Sequence, residues 1–131
     1  MDTQAQNTEA HESESEKQTL AALAGIWERS KETIMGRVDV LDQAAVAVLE
    51  AALDDDLRRR AEEEAHKLVG SVGTFGFGEG SKMARQIECL LQGERPLSQG
   101  QILRLVELVV ALRRVLEQPP MGRELEPAPK E

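Results

Sequence analysis

No proline occurs from Met1 to Arg95; the first is Pro96. Proline is the residue that most strongly interrupts helices, so its absence over this length leaves long helices unopposed. The remaining composition agrees. Aromatic residues are confined to Trp27, Phe75 and Phe77, the apolar content is mainly Leu, Ala and Val, and charged residues are frequent. This is the profile of an all-helical domain. A chain of 131 residues can bury one real core but not two.

Charge and cysteine content remove several function classes. The formal net charge is −8, and the one basic cluster, Arg58-Arg59-Arg60, lies between Asp54-Asp55-Asp56 and Glu62-Glu63-Glu64. A broad positive face for nucleic acid is therefore not expected. A single cysteine, Cys89, excludes an intramolecular disulfide and a cysteine-based metal cluster. No apolar run is long enough to span a bilayer, and the polar, acidic start does not resemble a signal peptide. The expectation is a soluble, cytoplasmic chain with neither nucleic-acid nor membrane partners.

Apolar spacing divides the chain. Residues 1–17 are polar and acidic and are expected to form a disordered tail. From 118 to 131, Pro119, Pro120, Pro127 and Pro129 among scattered charges predict a second, Pro-rich disordered tail. The folded part is expected over 18–117. Leu20, Leu23, Trp27, Ile34, Val38, Leu41, Ala45, Val48 and Ala52 recur at spacings of three, four or seven and form one helical stripe. An unbroken helix over 19–53 would be ~52 Å long. A break near Ser30–Thr33 is expected, giving a short additional N-terminal helix across one end of the fold.

Asp54 or Asp55 suits the N-cap of the next helix, with stripe Leu57, Ala61, Ala65, Leu68, Val72 and Phe75. A loop is expected over 76–80 and a third helix over 79–92, with Met83, Ile87 and Leu90 inward and Gly93 at its end. Ser98 and Gln101 form a capping box for a last helix over 99–117, whose inward residues are Ile102, Leu105, Val109, Leu112 and Leu116. Leu103, Val106 and Val110 give that helix an additional apolar side. The predicted fold is all-α, an antiparallel four-helix bundle plus the short N-terminal helix.

One run within this pattern is anomalous. Ala65-His66-Lys67-Leu68-Val69-Gly70-Ser71-Val72-Gly73-Thr74-Phe75-Gly76-Phe77 is helical by apolar spacing yet contains three glycines. Each helix-interior glycine costs roughly 1 kcal/mol relative to alanine. On a helical wheel His66 lies roughly 130–150° from the core stripe and faces solvent. Gly70 and Gly73 are its i+4 and i+7 neighbours on the same side. They clear the surface for a second protein, whereas Gly76 suits a helix stop.

A solvent-facing imidazole in such a patch has three possible uses: general acid or base, metal ligand, or nucleophile. Acid–base work needs a pocket and a partner group. A metal site needs more ligands, and His11, the other histidine, belongs to the expected tail. Nucleophilic attack on a phosphoryl group carried by another protein fits best.

The run 65–77, with Ser81-Lys82-Met83-Ala84-Arg85-Gln86-Ile87-Glu88 after it, resembles the histidine-containing phosphotransfer (HPt) domains of two-component phosphorelays. The resemblance is strong over about 55–92 and architectural in the flanking helices. It implies a phosphoryl carrier rather than a stand-alone enzyme, with His66 exchanging a phosphoryl group with an aspartate of a response-regulator receiver domain. Such a receiver could belong to a hybrid histidine kinase. It implies no cofactor on this chain, no metal ligands, and Mg²⁺ on the partner receiver. By position in the family pattern, Glu88 corresponds to a carboxylate or amide that orients the ring. Lys67 and Arg85 are candidates for stabilising phosphate, and Val69, Gly70 and Gly73 for docking. Many members carry Lys where this chain has Val69, which removes one expected cation. The rival reading is a helical module that docks a receiver or other regulatory protein without being phosphorylated.

Overall fold

The computed structural model describes residues 2–118, with side chains over 14–118. Four helices follow in order: α1 (Asp2–Leu49), α2 (Asp55–Thr74), α3 (Gly78–Gln92) and α4 (Gln99–Glu117). Their short connections make neighbours antiparallel. Packing pairs α1 with α2, α2 with α3, α3 with α4, and α4 back with α1. The result is a closed square of helices, and no strand occurs among the described residues.

The helix boundaries follow local chemistry. The Asp54 side chain accepts a hydrogen bond from the Leu57 amide at 2.7 Å and starts α2, with Asp55 and Asp56 at its positive end. Gly76 has φ 88°, in the left-handed region where glycine is favoured, and its amide bonds the Gly73 carbonyl at 3.1 Å. It turns the chain out of α2, as the sequence predicts. Ser98 and Gln101 make both bonds of the capping box at the start of α4.

The core contains Trp27, Ile34, Val38, Leu41, Ala45 and Val48 of α1, Ala61, Ala65, Leu68 and Val72 of α2, and Leu105, Val109, Leu112 and Leu116 of α4. Trp27 closes one end. Its ring centroid lies 5.3 Å from Phe75 and 4.9 Å from Phe77. Phe77, expected in a loop, is buried by that contact.

The short N-terminal helix is the element the structure corrects. There is no break at Ser30–Thr33: α1 runs unbroken from Asp2 to Leu49, ~72 Å at 1.5 Å per residue. Ser30-Lys31-Glu32-Thr33 contains neither Pro nor Gly, so nothing in the backbone forces a stop. The segment 1–17, expected as a disordered tail, continues the same helix from Asp2. Its Ala, Gln, Glu and Lys residues are good helix formers and it has no Gly or Pro. Ala52 lies beyond the end of α1 and is exposed rather than in the core. The Pro-rich tail expected over 118–131 lies outside the described residues beyond Gln118.

On α3 the buried face is Gly80, Ala84, Ile87, Glu88 and Leu91; Met83 and Leu90 are only half-buried. The reason is the closeness of α4. A Cβ on Gly80 would lie 3.5 Å from both Leu112 Cδ1 and Val115 Cγ1. Small residues let the helices approach there, and the larger Met83 and Leu90 move to the edge.

Candidate functional site

His66 stands on the outer side of α2, one residue after buried Ala65 and two before buried Leu68. Its side chain is 74% exposed. Glu88 comes from the adjacent face of α3 and is buried, with its side chain 10% exposed. The two meet at 2.7 Å between His66 Nδ1 and Glu88 Oε2. A carboxylate only accepts, so Nδ1 carries the proton and donates it. In the neutral form of the ring, Nε2 then carries the free lone pair, on an imidazole that faces solvent.

Glu88 is itself held from behind. Gln92 Nε2, one turn along α3, donates to Glu62 Oε2 at 2.9 Å and lies 3.5 Å from Glu88 Oε2. Ser81, two turns earlier, donates its hydroxyl to the Val69 carbonyl at 2.7 Å. Ser81, Glu88 and Gln92 thus form a polar seam between α3 and α2. The sequence reading missed Ser81 and Gln92. Their offsets of seven and four from Glu88 put them on its side of the helix and were the available signal.

A shallow hollow before the imidazole is lined by Glu62, Glu63, His66, Lys67 and Glu88. Lys67 therefore shares the hollow, although its ammonium also lies 3.9 Å from Glu64. Arg85 does not. It is exposed on α3 and lines a separate hollow toward α4 with Gln86, Cys89 and Arg104. Gly70 has open space where a Cβ would stand. A Cβ on Gly73 would make only ordinary contact with Ser81, at 3.5 Å from its hydroxyl oxygen. The surface beyond His66 is consequently low, bounded by backbone at Gly70 and by the α2–α3 seam at Gly73. Val69 is half-buried and packs against the core.

Among the described residues, no group of three or more His, Cys, Asp or Glu is arranged to hold a metal ion. No helix among them is long and apolar enough to cross a membrane.

The Hpt domain family matches residues 25–117. The chain belongs to the Hpt domain family. Domains of this family serve phosphotransfer in two-component signalling, where they interact with receiver domains. The Hpt match covers all of α2, α3 and α4 and the part of α1 that enters the bundle. The chain is also 30% identical over 105 residues to Protein RcaC of Microchaete diplosiphon. That alignment covers 80% of this chain and 16% of the relative, so the chain spans about a sixth of the relative's length. No solved structure matches.

Proposed function

We propose that this Hpt domain relays a phosphoryl group between His66 and the phosphorylated aspartate of a receiver domain. The supporting observation is the pair formed by exposed His66 and buried Glu88, joined through Nδ1 at 2.7 Å. This arrangement orients the neutral ring with a nucleophilic Nε2 outward.

In the forward step the Nε2 lone pair attacks phosphorus and the N–P bond forms. The P–O bond to the receiver's aspartate breaks, and its carboxylate departs with the electron pair. The Nδ1 proton stays in its bond to Glu88. The ring becomes cationic, and the Glu88 carboxylate beside it stabilises that charge. The reverse step uses the same groups. Lys67 is near enough to the hollow to draw the phosphoryl oxygens. Mg²⁺ belongs to the receiver in this reading and neutralises charge on the phosphoryl group there. Gly70 and Gly73 let the receiver's active-site rim come close to the ring. This chain then acts as a phosphoryl carrier rather than a stand-alone enzyme, and the reading implies a cytoplasmic location.

The test is to mix the full chain with a receiver domain carrying labelled aspartyl phosphate. Acid-labile, base-stable label should appear on wild type and be absent from His66→Gln. No label on wild type, under conditions where another Hpt domain accepts it, overturns the proposal. Receiver binding that persists without label would support a docking module instead.

A further inference from the structure

On the α1 flank of α2, beyond His66, lies a second hollow of about 360 Å³. Arg29, Ser30, Thr33 and Arg37 line it from α1, and Ser71 and Thr74 from α2; no carboxylate is among its lining residues. Ser71 and Thr74 donate their hydroxyl protons to the Lys67 and Gly70 carbonyls, so the available donors come from α1. Arg29 is exposed and makes no ion pair among the described residues. Arg37 Nε is buried without a hydrogen-bond partner, and Arg37 Nη1 stands 3.6 Å from Glu64, close enough for an ion pair but not for a hydrogen bond.

The other charges nearby do not cancel these arginines. Glu64 is shared between Arg37 and Lys67, whose ammonium lies at 3.9 Å. Glu63 borders the His66 hollow rather than this one. Exposed Arg60, about three turns before Ser71 on the same side of α2, adds positive charge. Glu28, Lys31 and Glu32 stand ~130–170° around α1 from the hollow on a helical wheel. Four cations, Arg29, Arg37, Arg60 and Lys67, thus meet two carboxylates on this flank, in a chain of net charge −8. A hollow of donors with surplus positive charge takes an anion.

The place of the hollow identifies the source of that anion. Ser71 and Thr74 follow His66 by ~7.5–12 Å along α2. Gly70, between them and the ring, has open space where a Cβ would stand. A standard specific interface covers ~800 Å² per partner, a disc of ~16 Å radius. A receiver seated on His66 with that footprint covers the second hollow as well. On the phosphotransfer reading of His66, we propose that this hollow is a specificity contact for the receiver. It takes an Asp or Glu side chain that the receiver carries ~10–15 Å from its phosphorylated aspartate. A receiver with Lys or Arg at that place sets like charges together and is rejected.

The test titrates the full chain and its variants with a receiver domain, and follows transfer to His66 separately in single turnover. Arg29→Glu should raise the Kd about tenfold or more, chiefly through a slower association rate, and the difference should shrink at high salt. The transfer rate at saturating receiver should stay within about twofold, since the hollow docks rather than reacts. Lys31→Glu makes the same charge change on the far side of α1 and should leave the Kd unchanged. Replacing one receiver carboxylate within ~15 Å of the phosphorylated aspartate by Lys should restore binding to Arg29→Glu. Arg29→Glu that binds like wild type, or an equal loss in Lys31→Glu, overturns the proposal. Failure of every such receiver carboxylate to compensate overturns it too. Inorganic phosphate that binds wild type but not Arg29→Glu, with receiver binding intact, assigns the hollow to a free anion and overturns the receiver contact. A receiver that binds through Arg29 yet leaves no label on His66 overturns the phosphotransfer reading and upholds this contact; absence of receiver binding to wild type overturns both.

Discussion

Removing the Glu88 carboxylate should slow phosphoryl transfer by about tenfold without unfolding the domain. A hydrogen bond to a charged group contributes roughly 1.5–3 kcal/mol, and a neutral one about 1 kcal/mol. Glu88 is buried but His66 is 74% exposed, so the lower end of that range applies. A loss of about 1.5 kcal/mol in Glu88→Ala corresponds to about a tenfold lower rate, at 1.36 kcal/mol per factor of ten. Glu88→Gln keeps an acceptor for Nδ1–H but loses the charge, so about threefold is expected. Stability should change little. The variant removes a largely desolvated carboxylate, which offsets part of the lost bond, and leaves Ile87 and Leu91 in the core. The assay is single-turnover transfer from a phosphorylated receiver at saturating receiver concentration, with circular dichroism on each variant. Saturation separates ring orientation from docking. A folded Glu88→Ala that transfers within a factor of two of wild type would refute the argument that this carboxylate positions the nucleophile.

The remaining predictions address the surface and the frame. Lys67→Ala should lower transfer about fivefold, roughly the loss of one exposed charge contact of 1 kcal/mol, while Arg85→Ala stays within twofold because Arg85 lines a different hollow; equal effects in the same transfer assay would contradict this separation. Gly70→Ala should stabilise α2 by about 0.5–1 kcal/mol in urea unfolding, since no atom lies within 4 Å of its Cβ; Gly70→Phe should fold but weaken receiver binding in a titration. Gly76→Ala should destabilise by about 1–2 kcal/mol, because alanine is strained at φ 88°, and denaturant unfolding reads this directly. Trp27→Ala should cost about 3–5 kcal/mol, removing a fully buried ring from Phe75 and Phe77; a thermal midpoint close to wild type would argue against that end as part of the cooperative core.

Helix type, helix order and the position of His66 were legible because period and caps are local properties. Asp54, Gly76 and the Ser98–Gln101 pair act within one turn of chain, and each ends or begins a helix where the spacing indicates. The continuity of α1 was less legible because the expectation of a break came from helix length, not from a breaking residue. Its unbroken backbone shows that absence of Pro across 1–49 outweighs Gly25 and Gly36, which weaken a helix without stopping it.

The rotation of α3 is the point at which local pattern and tertiary packing part, and the site depends on it. Large apolar residues at Met83, Ile87 and Leu90 suggest one inward direction. The observed face instead follows the small residues Gly80 and Ala84, because α4 can approach only where side chains are small. Turning α3 toward Gly80 and Ala84 moves Met83 and Leu90 to the α4 edge and carries Glu88 inward. With Ser81 and Gln92, Glu88 is thereby brought onto the α2 side, its carboxylate beneath the exposed imidazole. Two small residues on the buried face of α3 thus help determine whether the ring on α2 has an acceptor for Nδ1. Enlarging Gly80 should therefore disturb the site at a distance. Gly80→Leu would crowd Leu112 and Val115, force α3 to turn or shift, and separate Glu88 from His66. The ring's Nδ1–H should then lose its hydrogen-bonded shift in ¹⁵N–¹H spectra even where helicity is retained; an unchanged signal would sever the link between core packing and the nucleophile.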